Sequence, residues 1–266
     1  MYDRYNRKIN YLRISVTDRC NLRCRYCMPP EGIKLMRHDD ILSYDEITDF
    51  VKTAVQMGID KVRLTGGEPL VRKGLVELVK MITGIDGIKD FAMSTNGTLL
   101  EQYARPLSEA GLQRVNVSLD SMDPHKFRWI TRGGNLDDTL KGIDAAIEAG
   151  LTPVKLNCVV KNSKEEYDAK KVKDYADRMG LEIRYIKQMN LERGEFAVVE
   201  GGDGGNCIKC NRLRLTANGK VKPCLFNDLE YSVRELGAKK AIKLAVENKP
   251  ECGTVNHNGH FYNIGG

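Results

Sequence analysis

Short β-rich runs dominated by apolar residues alternate along the chain with stretches whose apolar positions recur at helical spacing. That switch between two periods is the signature of repeated βα units around a parallel sheet. Six strands are predicted, at residues 12–16, 61–65, 90–94, 114–119, 153–160 and 182–189. Helical spacing covers 44–57, 75–82, 99–110, 136–149 and 166–179, and Gly58, Gly111, Gly150 and Gly180 stand where a left-handed residue closes a helix. Six units are too few for a closed eight-stranded barrel, so the expected fold is α/β, an open and partial (β/α)6 barrel. The glycine-rich run at 201–205 reads as a flexible linker, dividing a barrel at 1–190 from a smaller module at 191–266.

Chemistry gathers just after the predicted strands: Cys20, the run Thr65-Gly66-Gly67-Glu68-Pro69, Thr95-Asn96-Gly97 and Asp120. In parallel βα folds the carboxyl ends of the strands are where sites are built. Hydrophobic residues at 41% and charged residues at 29% suit a globular protein. The first residues lack an apolar stretch, and no run of about 18 apolar residues follows, so neither secretion nor membrane spanning is expected and the default location is the cytoplasm. Reduced thiols are the rule there, which turns eight cysteines toward metal binding or catalysis. A net charge of +6 favours an anionic partner, but Lys and Arg are scattered and no nucleic-acid motif accompanies them.

Cys20-Asn-Leu-Arg-Cys24-Arg-Tyr-Cys27 places three thiols on one loop, converging on one metal centre. A structural zinc site normally closes with four protein ligands, and only His38 lies near enough in sequence to be a fourth. A cubane held by three cysteines leaves one iron open, which suits catalysis. The run, with Tyr26 before its last Cys, resembles the radical S-adenosylmethionine (SAM) superfamily, whose fold is a partial βα barrel. The resemblance implies a 4Fe-4S cluster on Cys20, Cys24 and Cys27 whose open iron is chelated by SAM, and an electron that cleaves SAM to a 5'-deoxyadenosyl radical. Gly66-Gly67-Glu68-Pro69 matches the superfamily's segment near the SAM amino group; glycines let backbone come close and a carboxylate answers an ammonium.

A second pattern, Cys207-Ile-Lys-Cys210 with Cys224, brackets a hairpin turned at Asn218-Gly219. A zinc ribbon with Cys252 as fourth ligand is the alternative on ligand chemistry alone. The segment ending Lys222-Pro223-Cys224-Leu225-Phe226 is similar to the GTP 3',8-cyclase family of molybdenum cofactor biosynthesis. The likeness runs from Arg13 through Cys20 to the terminal Ile264-Gly265-Gly266. It implies a second 4Fe-4S cluster on Cys207, Cys210 and Cys224 with an open iron facing the purine. It also implies SAM contacts at Tyr26, Gly67, Ser118 and Met189, with Gly66 and Glu68 beside them, and GTP contacts at Arg13, Arg63, Ser94, Lys155, Arg212 and Arg214. Arg212 and Arg214, with Gly265 and Gly266 entering the site, are expected to serve catalysis. Lys155 and Arg63 stand inside apolar runs, where a charge is costly without a purpose; Cys158 reads as core packing.

The same resemblance implies a reductant protein such as flavodoxin or ferredoxin, and as the next enzyme of the pathway cyclic pyranopterin monophosphate synthase. It leaves a homodimer open and predicts no membrane or nucleic-acid partner. Two features depart from the family: the connection at 185–206 is short, and Cys252 is additional. Cys252 could cap the second cluster, which favours a rival twin-cluster maturase acting on a peptide or another nucleotide. A rival of another class is a non-catalytic metal protein binding nucleic acid.

Overall fold

The structure, a computed structural model, describes residues 1–258 and 261–264. Among these, nine strands form one sheet in the order β6-β5-β4-β3-β2-β1-β7-β8-β9. The six predicted strands are β1 (Tyr11–Ser15), β2 (Lys61–Thr65), β3 (Asp90–Thr95), β4 (Arg114–Ser118), β5 (Lys155–Val160) and β6 (Glu182–Lys187). They pair in parallel, and the linear order leaves the barrel open. Helices α1 (Tyr44–Gln56), α2 (Leu75–Thr83), α3 (Leu100–Glu109), α4 (Pro124–Thr131), α5 (Leu136–Glu148) and α6 (Tyr167–Arg178) fill the crossovers. The four capping glycines all have positive φ. Helix α1 begins at a reciprocal cap, Ser43 Oγ accepting from Glu46 N at 3.1 Å and Glu46 Oε2 from Ser43 N at 2.7 Å, a device worth about 1 kcal/mol.

Strand alternation decides what the barrel encloses. Leu12, Ile14, Val62, Leu64, Phe91, Met93, Val115, Val117 and Leu156 are buried on one face, within the core that also holds Phe50, Leu78 and Ile143 of the helices. The intervening residues point inward, and they are polar. Arg13 pairs with Arg63 on one side and Arg214 on the other, Tyr11 with Lys61 and Arg212, Lys61 with Asp90, and Asn157 with Arg184. A closed barrel fills its centre with branched apolar side chains. Here the centre is lined with charge, which opens it to a ligand.

The predicted hairpin forms as β7 (Arg212–Leu215) and β8 (Lys220–Lys222), antiparallel and turned at Gly219 with φ +78°. Strand β7 pairs in parallel with β1, so the barrel sheet continues into the C-terminal region. A two-residue strand β9 (Tyr231–Ser232) and helices α7 (Val233–Leu236) and α8 (Ala238–Glu247) follow, then α9 (Phe261–Ile264). The run at 201–205 is a packed turn rather than a free tether. Glu200 and Tyr185 exchange backbone hydrogen bonds of 3.1 and 3.0 Å. A Cβ on Gly201 would meet Ile183 O at 2.6 Å, and one on Gly205 would meet Ala197 O at 2.0 Å. These glycines serve close approach, which their sequence signature shares with flexibility. Among the described residues no helix is long and apolar enough to cross a membrane.

Candidate active site

The loop after β1 folds because neighbouring elements take up its backbone groups. Cys27 N and Met28 N both donate to Cys24 O, at 2.9 and 3.0 Å, forming the turn that sets Cys24 beside Cys27. The end of α4 anchors it: Arg23 N donates to Thr131 O, Arg25 N to Ile130 O, and the Arg132 guanidinium to Arg23 O and Met28 O. On the other side Gly67 N and Glu68 N donate to Thr17 O and Arg19 O, both at 2.8 Å. A Cβ on Gly67 would lie 2.3 Å from Arg19 O, so only glycine lets the two loops run together.

A cavity of about 200 Å³ opens between them. Cys20, Cys24, Cys27, Tyr26, Gly66, Gly67, Glu68, Ser94, Ser118 and Met189 all line it. The Tyr26 hydroxyl donates to Asp120 Oδ2 at 2.8 Å, and Asp120 Oδ1 accepts from Val159 N at 2.8 Å. Glu68 is fully enclosed, its oxygens accepting from Leu70 N, Asn96 N and the Thr95 hydroxyl. Burial outweighs these donors and raises the carboxyl to about 7. Its oxygens are thus engaged by the chain, and the two glycines present bare backbone at the wall. Burial pushes the Cys20 thiol up to about 11 and Cys27 to about 12; Cys24 rises further, from burial first and then the Asp120 carboxylate.

A second cavity of about 260 Å³ continues from the first, with Asn157, Ile186 and Met189 lining both. Arg13, Arg63, Arg212 and Arg214 line it with Cys207, Cys210 and Cys224. Burial lowers Arg13, Arg63 and Arg214 to about 10, so all stay charged at neutral pH. Lys249, 1% exposed, donates to Arg212 O at 2.8 Å and to Pro223 O at 2.5 Å, fixing β7 against the Cys224 loop. Phe196 stacks on Phe226 at 4.4 Å, and Leu191, Leu225 and Ile264 close an apolar plug beside Met189 and Phe261. Phe261 also lines the first cavity. Gly265 and Gly266 lie outside the described residues.

Two predicted substrate positions fall elsewhere than the other four. Ser94 lines the thiol cavity, where its buried Oγ has no hydrogen-bond partner. Lys155 lines neither cavity; it pairs with Glu182 at 2.5 Å on the same inward face as Asn157. The structure adds inward groups that sequence reasoning missed: Tyr11, Lys61, Arg114, Arg184 and Lys249. Arg114 is held bidentately by Asp90, whereas Arg63 Nε and Arg184 Nε are buried without a partner. Among the described residues neither triad is drawn in around a single metal ion.

The family model described as the radical SAM superfamily matches residues 14–176. A protein called GTP 3',8-cyclase from Alkaliphilus oremlandii is 43% identical over 94% of this chain and 89% of its own length. One of the same name from Thermodesulfovibrio yellowstonii is 42% identical over 89% of this chain and 88% of its own. The chain belongs to the GTP 3',8-cyclase family of the radical SAM superfamily. The first of these alignments is 296 positions long against 266 residues in the chain, so this member lacks segments that its cyclase relative carries. Among solved structures, Streptococcus suis SuiB bound to S-adenosylmethionine superposes with a TM-score of 0.62 at 16% identity. It covers 91% of this chain, which spans 64% of that protein, and it shows the radical SAM fold. Membership in this superfamily makes the protein an enzyme that uses a 4Fe-4S cluster and SAM.

The residues fit such a cluster and cofactor. Three thiols face one cavity, and among the described residues no fourth cysteine or histidine lines it; Gly66 and Gly67 let that wall lie tight against the cysteine loop, since a Cβ would meet Thr17 O at 2.9 Å or Arg19 O at 2.3 Å; and the Ser94 hydroxyl is an orphaned polar atom at the cavity surface.

Proposed function

We propose that this chain converts GTP to 3',8-cyclo-7,8-dihydro-GTP, the first step of molybdenum cofactor biosynthesis. The observation that carries the reading is the join between a cavity lined by three thiols and one lined by arginines, with Asn157, Ile186 and Met189 at the boundary. Cys20, Cys24 and Cys27 would hold the 4Fe-4S cluster, which would supply reductive cleavage of SAM as the source of hydrogen abstraction; in this reading the overall reaction removes the C3' hydrogen of GTP and joins C3' to C8 of guanine.

The chain's own contribution is placement. Tyr26, pinned by Asp120, the bare backbone of Gly66 and Gly67, and Ser118 and Met189 shape the SAM side. Glu68 braces that wall by accepting from Leu70 N, Asn96 N and the Thr95 hydroxyl. Arg13, Arg63, Arg212 and Arg214 neutralise the triphosphate, since guanidinium groups grip phosphate bidentately. Lys155 joins them by exchanging Glu182 for phosphate, and the Ser94 hydroxyl gains a partner at the ribose side. Holding C3' against the adenosyl group and excluding water is where positioning lowers the barrier.

The reading extends to residues 191–266 as an auxiliary module in which Cys207, Cys210 and Cys224 hold a second 4Fe-4S cluster beside the purine. Gly265 and Gly266 enter the site, where the lack of side chains permits contact with substrate. A flavodoxin or ferredoxin type protein delivers electrons, and cyclic pyranopterin monophosphate synthase consumes the product, all in the cytoplasm. The test is anaerobic turnover of cluster-loaded protein with SAM and GTP. Equal amounts of 5'-deoxyadenosine and cyclised nucleotide are expected; 5'-deoxyadenosine without loss of GTP rejects GTP as the substrate.

A further inference from the structure

Cys252 is exposed, and its Sγ stands 2.8 Å from Cys207 Sγ, both thiols being free. The contact is built by a buried clamp. Arg7, 8% exposed and paired with Asp3 at 2.6 Å, donates through Nη1 to the carbonyls of Cys207 and Glu251, each at 2.8 Å, and through Nη2 to Pro250 O at 2.6 Å. One guanidinium thus ties the Cys207 loop to the turn that carries Cys252. Beyond it, Thr254 N donates to Phe226 O at 2.9 Å, and a Cβ on Gly253 would come 2.7 Å from the Phe226 side chain and 3.3 Å from Cys224 Sγ. The Cys252 turn is therefore fixed at both ends against the second triad.

Its side chain lies on the outer side. Cys207, Cys210, Cys224 and Gly253 line the arginine cavity, and Cys252 does not. A ligand capping the corner that faces substrate has to stand in that cavity, so this position fits a different role.

We propose that Cys207 and Cys252 form a reversible disulfide in cluster-free protein, withdrawing one ligand from the second triad and closing it to iron until the bond is reduced. The pairing stands on the geometry alone; the consequence for iron rests on the second cluster proposed above. With a small-molecule disulfide as oxidant, the accessible Cys252 thiolate attacks one of its sulfurs, forming a mixed disulfide and expelling one thiolate. The Cys207 thiolate then attacks the Cys252 sulfur and expels the second. The protein loses two protons and two electrons, and the small disulfide becomes two thiols. The competing product is Cys207 with Cys210, the pair adjacent in the Cys-x-x-Cys run.

The test uses cluster-free full-length chain treated with oxidised glutathione, followed by peptide mapping. A dominant Cys207–Cys252 cross-link is expected, absent in Cys252→Ser and reduced in favour of Cys207–Cys210 in Arg7→Met. A dominant Cys207–Cys210 or Cys210–Cys224 link overturns the proposal. On reconstitution, oxidised wild type should take up half the iron of reduced wild type, restored by a dithiol, while Cys252→Ser takes up the full amount either way. Reduced protein that loads a single cluster rejects the second cluster and the proposed closure to iron, and leaves the mapped link as the judge of the pairing. Equal two-cluster loading of oxidised and reduced wild type overturns the closure.

Discussion

Cys24 and Cys210 each belong to a cysteine triad, the first on one loop and the second spread over the two loops that flank the β7–β8 hairpin, and each is half-enclosed at the wall of a cavity, yet their surroundings drive the two thiols in opposite directions. Burial and the Asp120 carboxylate push Cys24 up. Burial also acts to raise Cys210, but the Lys249 ammonium, with Arg212, outweighs it and the net shift is downward. The first triad is set among Glu68 and Asp120; the second is set among Lys249, Arg212 and Arg214. Three thiolates carry the same charge in both places. The first site therefore leaves negative charge to be answered by a cationic ligand, which SAM is through its sulfonium and ammonium groups. The second brings its own cations and leaves an excess for an anionic ligand. Nearby charge also tunes cluster potential, so with the second cluster proposed above the first would be the stronger reductant.

The largest effects should come from removing the triads themselves. Cys24→Ala should abolish SAM cleavage, while Cys210→Ala should leave uncoupled cleavage and no cyclised product, read by 5'-deoxyadenosine and nucleotide analysis. Equal loss of cleavage in two folded variants breaks the division between the sites.

Next in size is Arg214→Met. Loss of a charged hydrogen bond costs on the order of 2 kcal/mol, so GTP affinity should fall about 30-fold, with SAM affinity unchanged by calorimetry. A parallel loss of SAM binding contradicts the separation of charge. Deleting Gly265 and Gly266 should depress cyclisation more than GTP binding, and unchanged turnover places those residues outside the reaction.

The smallest effect concerns pH. Glu68 is raised from 4.5 to about 7 and Asp120 from 3.8 to about 6, each by burial. Both hold protons in the folded chain that the unfolded chain has released. Stability of metal-free protein should thus fall as pH rises from about 4 to 7, through these two groups. Glu68→Gln should flatten that decline while lowering stability by about 1–3 kcal/mol, because the amide nitrogen cannot accept from its backbone donors. An unchanged slope in chemical denaturation removes Glu68 from the account.

Much of the fold was legible because its periods are clean: the six parallel strands, five helices and the Asn218-Gly219 turn appear where apolar spacing and glycine place them. Helix α4 escaped because eight residues give too little periodicity, and its role, anchoring Arg23 and Arg25, is made by backbone groups that no residue type advertises. The cysteines declared themselves by spacing. The cationic lumen was half-read: Arg63 stood out as a charge in an apolar run, but Tyr11, Lys61, Arg114 and Arg184 obey the same two-residue alternation, and that alternation is the signal that finds them. Lys249 had no such signal, since the two carbonyls it binds come from distant segments. The outward placement of Cys252 likewise depends on Arg7, more than 200 residues away along the chain.

The most direct test of the central claim, that a radical made at the first triad meets a nucleotide held by the second cavity, is anaerobic turnover with GTP deuterated at C3'. Deuterium should appear in 5'-deoxyadenosine. SAM cleavage with all deuterium retained on the ribose contradicts the account.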